Sequence, residues 1–586
     1  MNAPYRVALA AALLFAATGN SDPPKPAKPA DLLPGFRRGP WFGEQVRERW
    51  VEGSVRVLVN APERFDLKRP TRLVVYTTPN GNTIEQTLGC AKADGLDWHF
   101  DIQHIAAQVR RFRQLFPADN VLLACVEAEG LSWPAWRRTT EDAAARIRRV
   151  VEGLRELVPG KSPRVTLTGH SGGGSFIFGF LEAADSIPDY VDRIAFLDAN
   201  YAFDAEKHAD KLLGWLRGAG DRRLTVVAYD DRSITLDGKL VVGKDGGTFR
   251  ASRRMVDRVG KDIALTEGRR GPFVTHTGLD GRLAFYVHPN PENRILHTAL
   301  VGEMNGFLQV LTDGAPKAAD WGMFGGPRAY TNWVQSAARV PPRPVDAPVG
   351  SEFVKRLAGL NATEREEAIA AEVLRGNLPD FLHKFRTITV RATDKRGKEH
   401  TATIEVMPDY LAVGSDADFV RLPMTPMTAQ RIADAFGCAL PTRKVVNEVY
   451  HNAAVKLEPI PLTEDRESLA TFVRHHELIE RQRASRELGA LVAGIKKDVV
   501  VTNRLGEKPN RVAIYGWHKP DGSPIQPLTI VHRATYVDYS HGIRLMKRTV
   551  TVDGRPRDVR HVLHFPDLCD LLSDEGPIEF PSYERD

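Results

Sequence analysis

The chain has 586 residues, 42% of them hydrophobic and 26% charged, with a formal net charge of +6. That length exceeds one ordinary core and predicts two or more domains, and a composition of this kind with only four cysteines excludes fibrous, low-complexity and disulfide-framework proteins. The arginines recur at helical spacing, as in "RRFR" (110–113) and "RIRR" (146–149), rather than forming a basic stripe, which argues against a nucleic-acid partner.

The first stretch reads as an export signal. Arg6 precedes the apolar run "VALAAALLFAATG", with Ala17 and Gly19 suited to cleavage, so 1–19 is expected to be a signal peptide. The run is too short to span a bilayer, and no other segment predicts a membrane span. A periplasmic or secreted location follows as the expectation. Residues 20–50 read as a polar spacer and N-terminal extension.

From 51 to 312 strand and helix patterns alternate. Strands are expected at 54–60, 72–78, 120–128, 164–169, 193–199, 224–230 and 283–288, the central ones as near-continuous apolar runs. Helices are expected at 101–116, with Asp101 as N-cap, and at 139–157, 175–184, 204–217 and 297–311. Such alternation predicts a mainly parallel sheet with helices on both faces. The segment 313–350, ending in "ARVPPRPVDAPVG", reads as a linker. Residues 351–586 change style, with a hairpin around Lys395–Lys398, helices near 428–437 and 442–453 and then short strands, which predicts a separate α+β domain.

The stretch "RVTLTGHSGGGSFIFGFLEAA" (164–184) places Ser171 between an expected strand and an expected helix, with glycines at 169, 172, 173 and 174. Small residues permit a tight turn that lifts the hydroxyl above the carboxyl ends of the strands. A phosphate-binding turn is the competing reading, but no Walker lysine follows. The turn resembles the nucleophile elbow of the α/β-hydrolase family, over roughly 51–312. The resemblance implies a Ser-His-Asp serine hydrolase, with the acid after a later strand and the histidine after the last.

His297 and His288 compete for the base, and His297 is preferred because it lies in a loop between a strand and an expected helix. Three aspartates compete for the acid. Asp231, past the strand "LTVVAYD", comes first; Asp230 beside it is second, and Asp198 at the end of "RIAFLDA" remains open. The Gly172 amide is the expected first oxyanion donor, and the loop "PNGNT" (79–83) offers Gly81 and the Asn82 amide for the second. His170, Trp98 and Trp133 are candidates for a substrate-binding wall, each tryptophan equally readable as packing.

Cys90 and Cys125 could pair, or all four cysteines could be buried thiols. In "TYVDYSHGIRL" (535–545), Asp538 and His541, with His518, could in principle bind a metal, although no spacing is diagnostic. The expected function is an exported serine esterase that forms an acyl-enzyme on a small-molecule or polymer ester and needs neither metal nor organic cofactor. An amidase or peptidase with the same triad, or a cell-envelope binding protein on a hydrolase scaffold, is the alternative. Oligomeric state is not legible.

Overall fold

The computed structural model describes residues 32–93, 95–160, 163–314, 321–508 and 510–583. The expected signal peptide lies outside them. The later part of the expected spacer is not a spacer: it forms strands β1 (Arg37–Arg38) and β2 (Gln45–Val51). Among the described residues no helix is long and apolar enough to cross a membrane.

The apolar runs of the first half become one eleven-stranded sheet. After β1 and β2 come β3 (Val55–Ala61), β4 (Thr71–Thr77), β5 (Asn120–Ala128), β6 (Arg164–His170), β7 (Val191–Leu197) and β8 (Arg223–Tyr229). A small separate hairpin, β9 (Thr235–Leu236) and β10 (Lys239–Leu240), precedes β11 (Thr266–Arg270), β12 (Phe273–Gly278) and β13 (Leu283–His288). The spatial order is β1-β2-β3-β5-β4-β6-β7-β8-β13-β12-β11. From β5 to β13 neighbouring strands are parallel, and antiparallel strands flank them on both sides.

Helices cover both faces. They are α1 (Ile84–Leu88), α2 (Ile105–Leu115), α3 (Trp133–Thr139), α4 (Ala143–Glu156), α5 (Gly174–Glu182), α6 (Asp210–Gly218), α7 (Thr248–Val259) and α8 (Gly306–Thr312). Successive side chains of a strand point to opposite faces. Leu73 and Val75 therefore pack with α3 to α7, and Val74 and Tyr76 with α2 and α8. Every residue of β5 is buried, as a strand covered on both faces requires. This is the mainly parallel, α/β-hydrolase-like sheet expected, with the strand–Ser171–helix turn near the middle of its parallel part.

Two helices differ from expectation. The one expected over 101–116 starts only at Ile105, because Trp98–Asp101 closes as a 3₁₀ turn. The one expected over 297–311 is confined to Gly306–Thr312. Before it, Asn305 takes a left-handed φ of 63°, and Gly302 lets the chain press against the Ile102 carbonyl.

The second half is a separate α+β domain with cores of its own. The expected hairpin is Arg386–Thr393 paired with Glu399–Val406. The helix Leu469–Arg483 was not anticipated. The expected linker is no free spacer. Trp321, Phe324 and Tyr330 are buried, and Trp321 and Phe324 complete the first half's core on the α2–α8 side.

A buried ionic network joins the halves. Arg560, from the helix Val559–His564, contacts Glu48 of β2 and donates to Glu85 of α1 at 2.8 Å. Arg56 of β3 holds the same two carboxylates at 2.7 and 2.5 Å. Glu127 accepts the Ile84 amide at 2.6 Å, capping α1, and burial pushes its carboxyl up to about 7.

Candidate active site

Ser171 follows β6 directly and has a φ of 54°. A left-handed serine is strained, and such strain persists where the surroundings over-determine it. Those surroundings are close-packed. A β-carbon on Gly172 would collide with the Asn80 carboxamide, and one on Gly174 with the Ala199 carbonyl. The hydroxyl of Thr77, at the end of β4, donates to the Gly173 carbonyl at 2.9 Å. The chain then enters α5, whose N-terminal amides face the serine.

His297 lies beside this turn. The neighbouring ring of His170 is 4.4 Å from the His297 ring, and its Nε2 donates to the His297 carbonyl at 2.9 Å. Burial, with His297 close by, holds the His170 pKa well below the usual imidazole range. His170 is 1% exposed, so it positions the base from beneath and is not the substrate wall expected.

The carboxylate at His297 is that of Asp198. Its Oδ2 stands 2.5 Å from Nδ1 of His297, and its side chain is 1% exposed against 28% for the histidine. Asp198 follows β7 with a φ of 49°, which turns its carboxylate toward the base. A proton on Nδ1 leaves Nε2 to accept one from elsewhere. Asp231, expected in that place, is bonded elsewhere. Asp231 accepts the Thr248 amide at 2.8 Å, while the Thr248 hydroxyl donates to Asp198. Burial and the charge of Asp198 push Asp231 up to about 6. Asp230 is bonded elsewhere too. It forms a two-pronged pair with Arg232 at 2.9 and 2.7 Å, which lowers its pKa.

His288, the rival base, accepts the Asn290 amide on Nδ1 at 3.0 Å and packs edge-on to Phe273. The expected second oxyanion donors are committed elsewhere. Gly81 N–H donates to the Leu131 carbonyl at 2.8 Å and Asn82 N–H to Pro79 at 3.3 Å. Their place at the turn is taken by Asn80, whose side chain lies over Gly172. Trp133 is 1% exposed and packs against Trp136 and Phe176, so it belongs to the core. Trp98 is 64% exposed, stacks on His99 and borders a cleft with Asp101 and Arg328.

Thr248, Asn80 and Tyr201 were missed from the sequence. Tyr201 is 41% exposed as a whole, but its phenol lies beside the Ser171 hydroxyl, where desolvation together with Asp198 raises its pKa. Only Thr248 had a usable signal: "GGT" before the amphipathic run 249–259 is a helix start.

Elsewhere, all four cysteines are free and buried. His518 bonds Asn447 at 3.0 Å and stacks on Tyr450, while Asp538 is held by Arg466 and Ser540. Among the described residues no group of three or more histidines, cysteines or carboxylates is arranged to hold a metal ion.

No family model and no curated protein matches the chain. Solved structures do resemble part of it. A feruloyl esterase module from Clostridium thermocellum is 10% identical, covering 47% of this chain and 94% of its own, with a TM-score of 0.29. A poly(aspartic acid) hydrolase from a Sphingomonas species is 14% identical over 48% and 99%, with a TM-score of 0.28. An S-formylglutathione hydrolase from Agrobacterium tumefaciens is 14% identical over 42% and 88%, with a TM-score of 0.24.

Proposed function

We propose that the protein is a serine hydrolase of carboxylic esters. The observation that carries this reading is the buried Asp198 carboxylate 2.5 Å from His297, whose backbone is held by the residue preceding a strained Ser171. A buried acid fixes the imidazole tautomer and stabilises the imidazolium that forms when the serine gives up its proton.

In this mechanism Ser171 Oγ attacks the ester carbonyl carbon and its proton passes to Nε2 of His297. The carbonyl oxygen becomes an oxyanion, met by the Gly172 amide at the start of the elbow helix and by the Asn80 carboxamide. Collapse breaks the carbon–oxygen bond, and His297 returns the proton to the departing alcohol. Water, activated by the same imidazole, then hydrolyses the acyl-enzyme and frees the acid and Ser171. Tyr201 presents a protonated phenol beside the nucleophile and supplies a further donor to the substrate. The N-terminal apolar run supports export, with cleavage near Gly19, which N-terminal sequencing of the secreted chain tests.

A fluorophosphonate probe is expected to label the wild-type chain and not Ser171→Ala. The variant is expected to lose about 10⁴-fold or more in p-nitrophenyl acetate turnover while staying folded. Labelling or wild-type turnover in folded Ser171→Ala overturns the reading.

A further inference from the structure

Thr248 is the first residue of α7 and is fully buried. It bonds both Asp198 and Asp231, through different groups. Its amide has no acceptor within the helix, as at any helix start, and Gly247 brings no side chain to cap it. Oδ2 of Asp231 takes that amide at 2.8 Å. Gly247 has a φ of 91°, and a β-carbon on it would collide with the Asp231 carboxylate. Asp231 thus caps α7, and with Thr248 it closes the base of the loop that carries β9 and β10.

The hydroxyl is left for Asp198. A threonine hydroxyl has one proton to donate. Oδ1 of Asp198 receives it, while Oδ2 of Asp231 stands 3.5 Å away. Among the described residues no other group donates to that Oδ1. The second oxygen of Asp198 is the one that faces Nδ1 of His297. The terminal torsion of an aspartate is soft, so a carboxylate keeps one direction only when both of its oxygens are held.

We propose that Thr248 is a positioning residue for the hydrolysis proposed above: its hydroxyl fixes the Asp198 carboxylate so that Oδ2 faces His297. This rests on the reading of His297 as the base. Thr248 itself touches neither substrate nor imidazole and acts through Asp198 alone. The two aspartates then divide the work by the two groups of one residue. Asp231 anchors the backbone of Thr248, and the anchored side chain aims Asp198.

Thr248→Val keeps the amide to Asp231 and the shape of the side chain but loses the donor. In p-nitrophenyl acetate hydrolysis by the full chain it is expected to lower kcat by about 10- to 100-fold with KM nearly unchanged, the worth of one hydrogen bond to a charged group. The acid limb of its kcat/KM profile reports the imidazole and is expected to move to lower pH, because a misdirected Asp198 stabilises the imidazolium less. Thr248→Ser restores the hydroxyl and is expected to stay within about threefold of wild type, with the limb in place. A purely structural role would lower the melting temperature of Thr248→Val and leave the limb where it was. The Nδ1 proton of His297, identified in NMR spectra by its loss in Asp198→Asn, is expected to keep its position in Thr248→Ser and to be displaced in Thr248→Val. That readout needs no turnover, so it decides this proposal even if the ester-hydrolase reading of Ser171 fails. Thr248→Ala, which also lacks the donor, takes the place of Thr248→Val if that variant does not fold. An unmoved acid limb or an undisplaced Nδ1 proton in the folded variant without the hydroxyl, or a Thr248→Ser variant as impaired as Thr248→Val, overturns the proposal.

Discussion

Asp198 reaches His297 at 2.5 Å, although Asp231 lies just past the next strand and close enough to share Thr248 with it. Two carboxylates bracket one threonine, and only one of them touches the base. Asp198→Asn is therefore expected to lower kcat by about 10⁴-fold, because an asparagine cannot hold the imidazole in the required tautomer or stabilise its charge. Asp231→Asn is expected to retain turnover within about tenfold. Steady-state kinetics on both folded variants distinguishes the two aspartates, and the reverse pattern would restore Asp231 as the acid.

Asp231 also carries a pH signature. Its carboxyl rises from an ordinary 3.8 to about 6, through burial first and the Asp198 charge second. In that window the folded chain binds the proton more tightly than the unfolded chain, so stability falls as pH rises from about 4 to about 6. Asp231→Asn removes the ionisation while keeping an acceptor for the Thr248 amide. The variant is expected to melt higher than wild type at pH 7.5 and to lose that advantage at pH 4. Thermal melts at both values check the sign.

Asn80 is expected to act on the transition state. If its carboxamide meets the oxyanion, Asn80→Ala lowers kcat by about 10²- to 10³-fold with little change in KM. Substitution of Asn82, whose amide is turned to Pro79, is expected to leave kcat nearly unchanged.

Arg560 ties the domains together, and its removal leaves Glu48 and Glu85 buried with less positive charge. Arg560→Met is expected to cost about 3–5 kcal/mol of stability, because breaking a buried pair strands its partners. Urea unfolding measures this, and a loss below about 1 kcal/mol would assign the network a minor role.

The tryptophans separate by burial. Trp133→Ala is expected to cost about 3–5 kcal/mol through the cavity it leaves. Trp98→Ala, on an exposed ring, is expected to change stability by less than about 0.5 kcal/mol.

The sheet was legible because strands buried on both faces are continuous apolar runs, as β5 illustrates. Ser171 was legible because four glycines surround it, and His297 because it follows the last parallel strand. The acid was harder. β7 and β8 both end next to an aspartate, and the choice between them rests on a backbone angle. At 49° the φ of Asp198 aims its carboxylate at the histidine, and nothing in the letters of the chain records that rotation. The oxyanion loop misled for a similar reason. Gly81 and Asn82 lie in the right loop, but their amides close that loop on itself, and the adjacent Asn80 meets the turn. Trp133 opens a helix in a segment that reads equally as pocket wall or core.

The segment after α8 bears on how the first half could be transplanted. Trp321 and Phe324 belong to the core on the α2–α8 side, and Arg328 reaches back to Asp101 at 2.8 Å. A chimera joined at the end of α8 would inherit a sheet with part of one face stripped bare and exposed to water. The portable piece extends through the tail of that strap, to about residue 334, where the 3₁₀ turn Thr331–Trp333 closes. A recombination point before it moves the sheet without part of its cover.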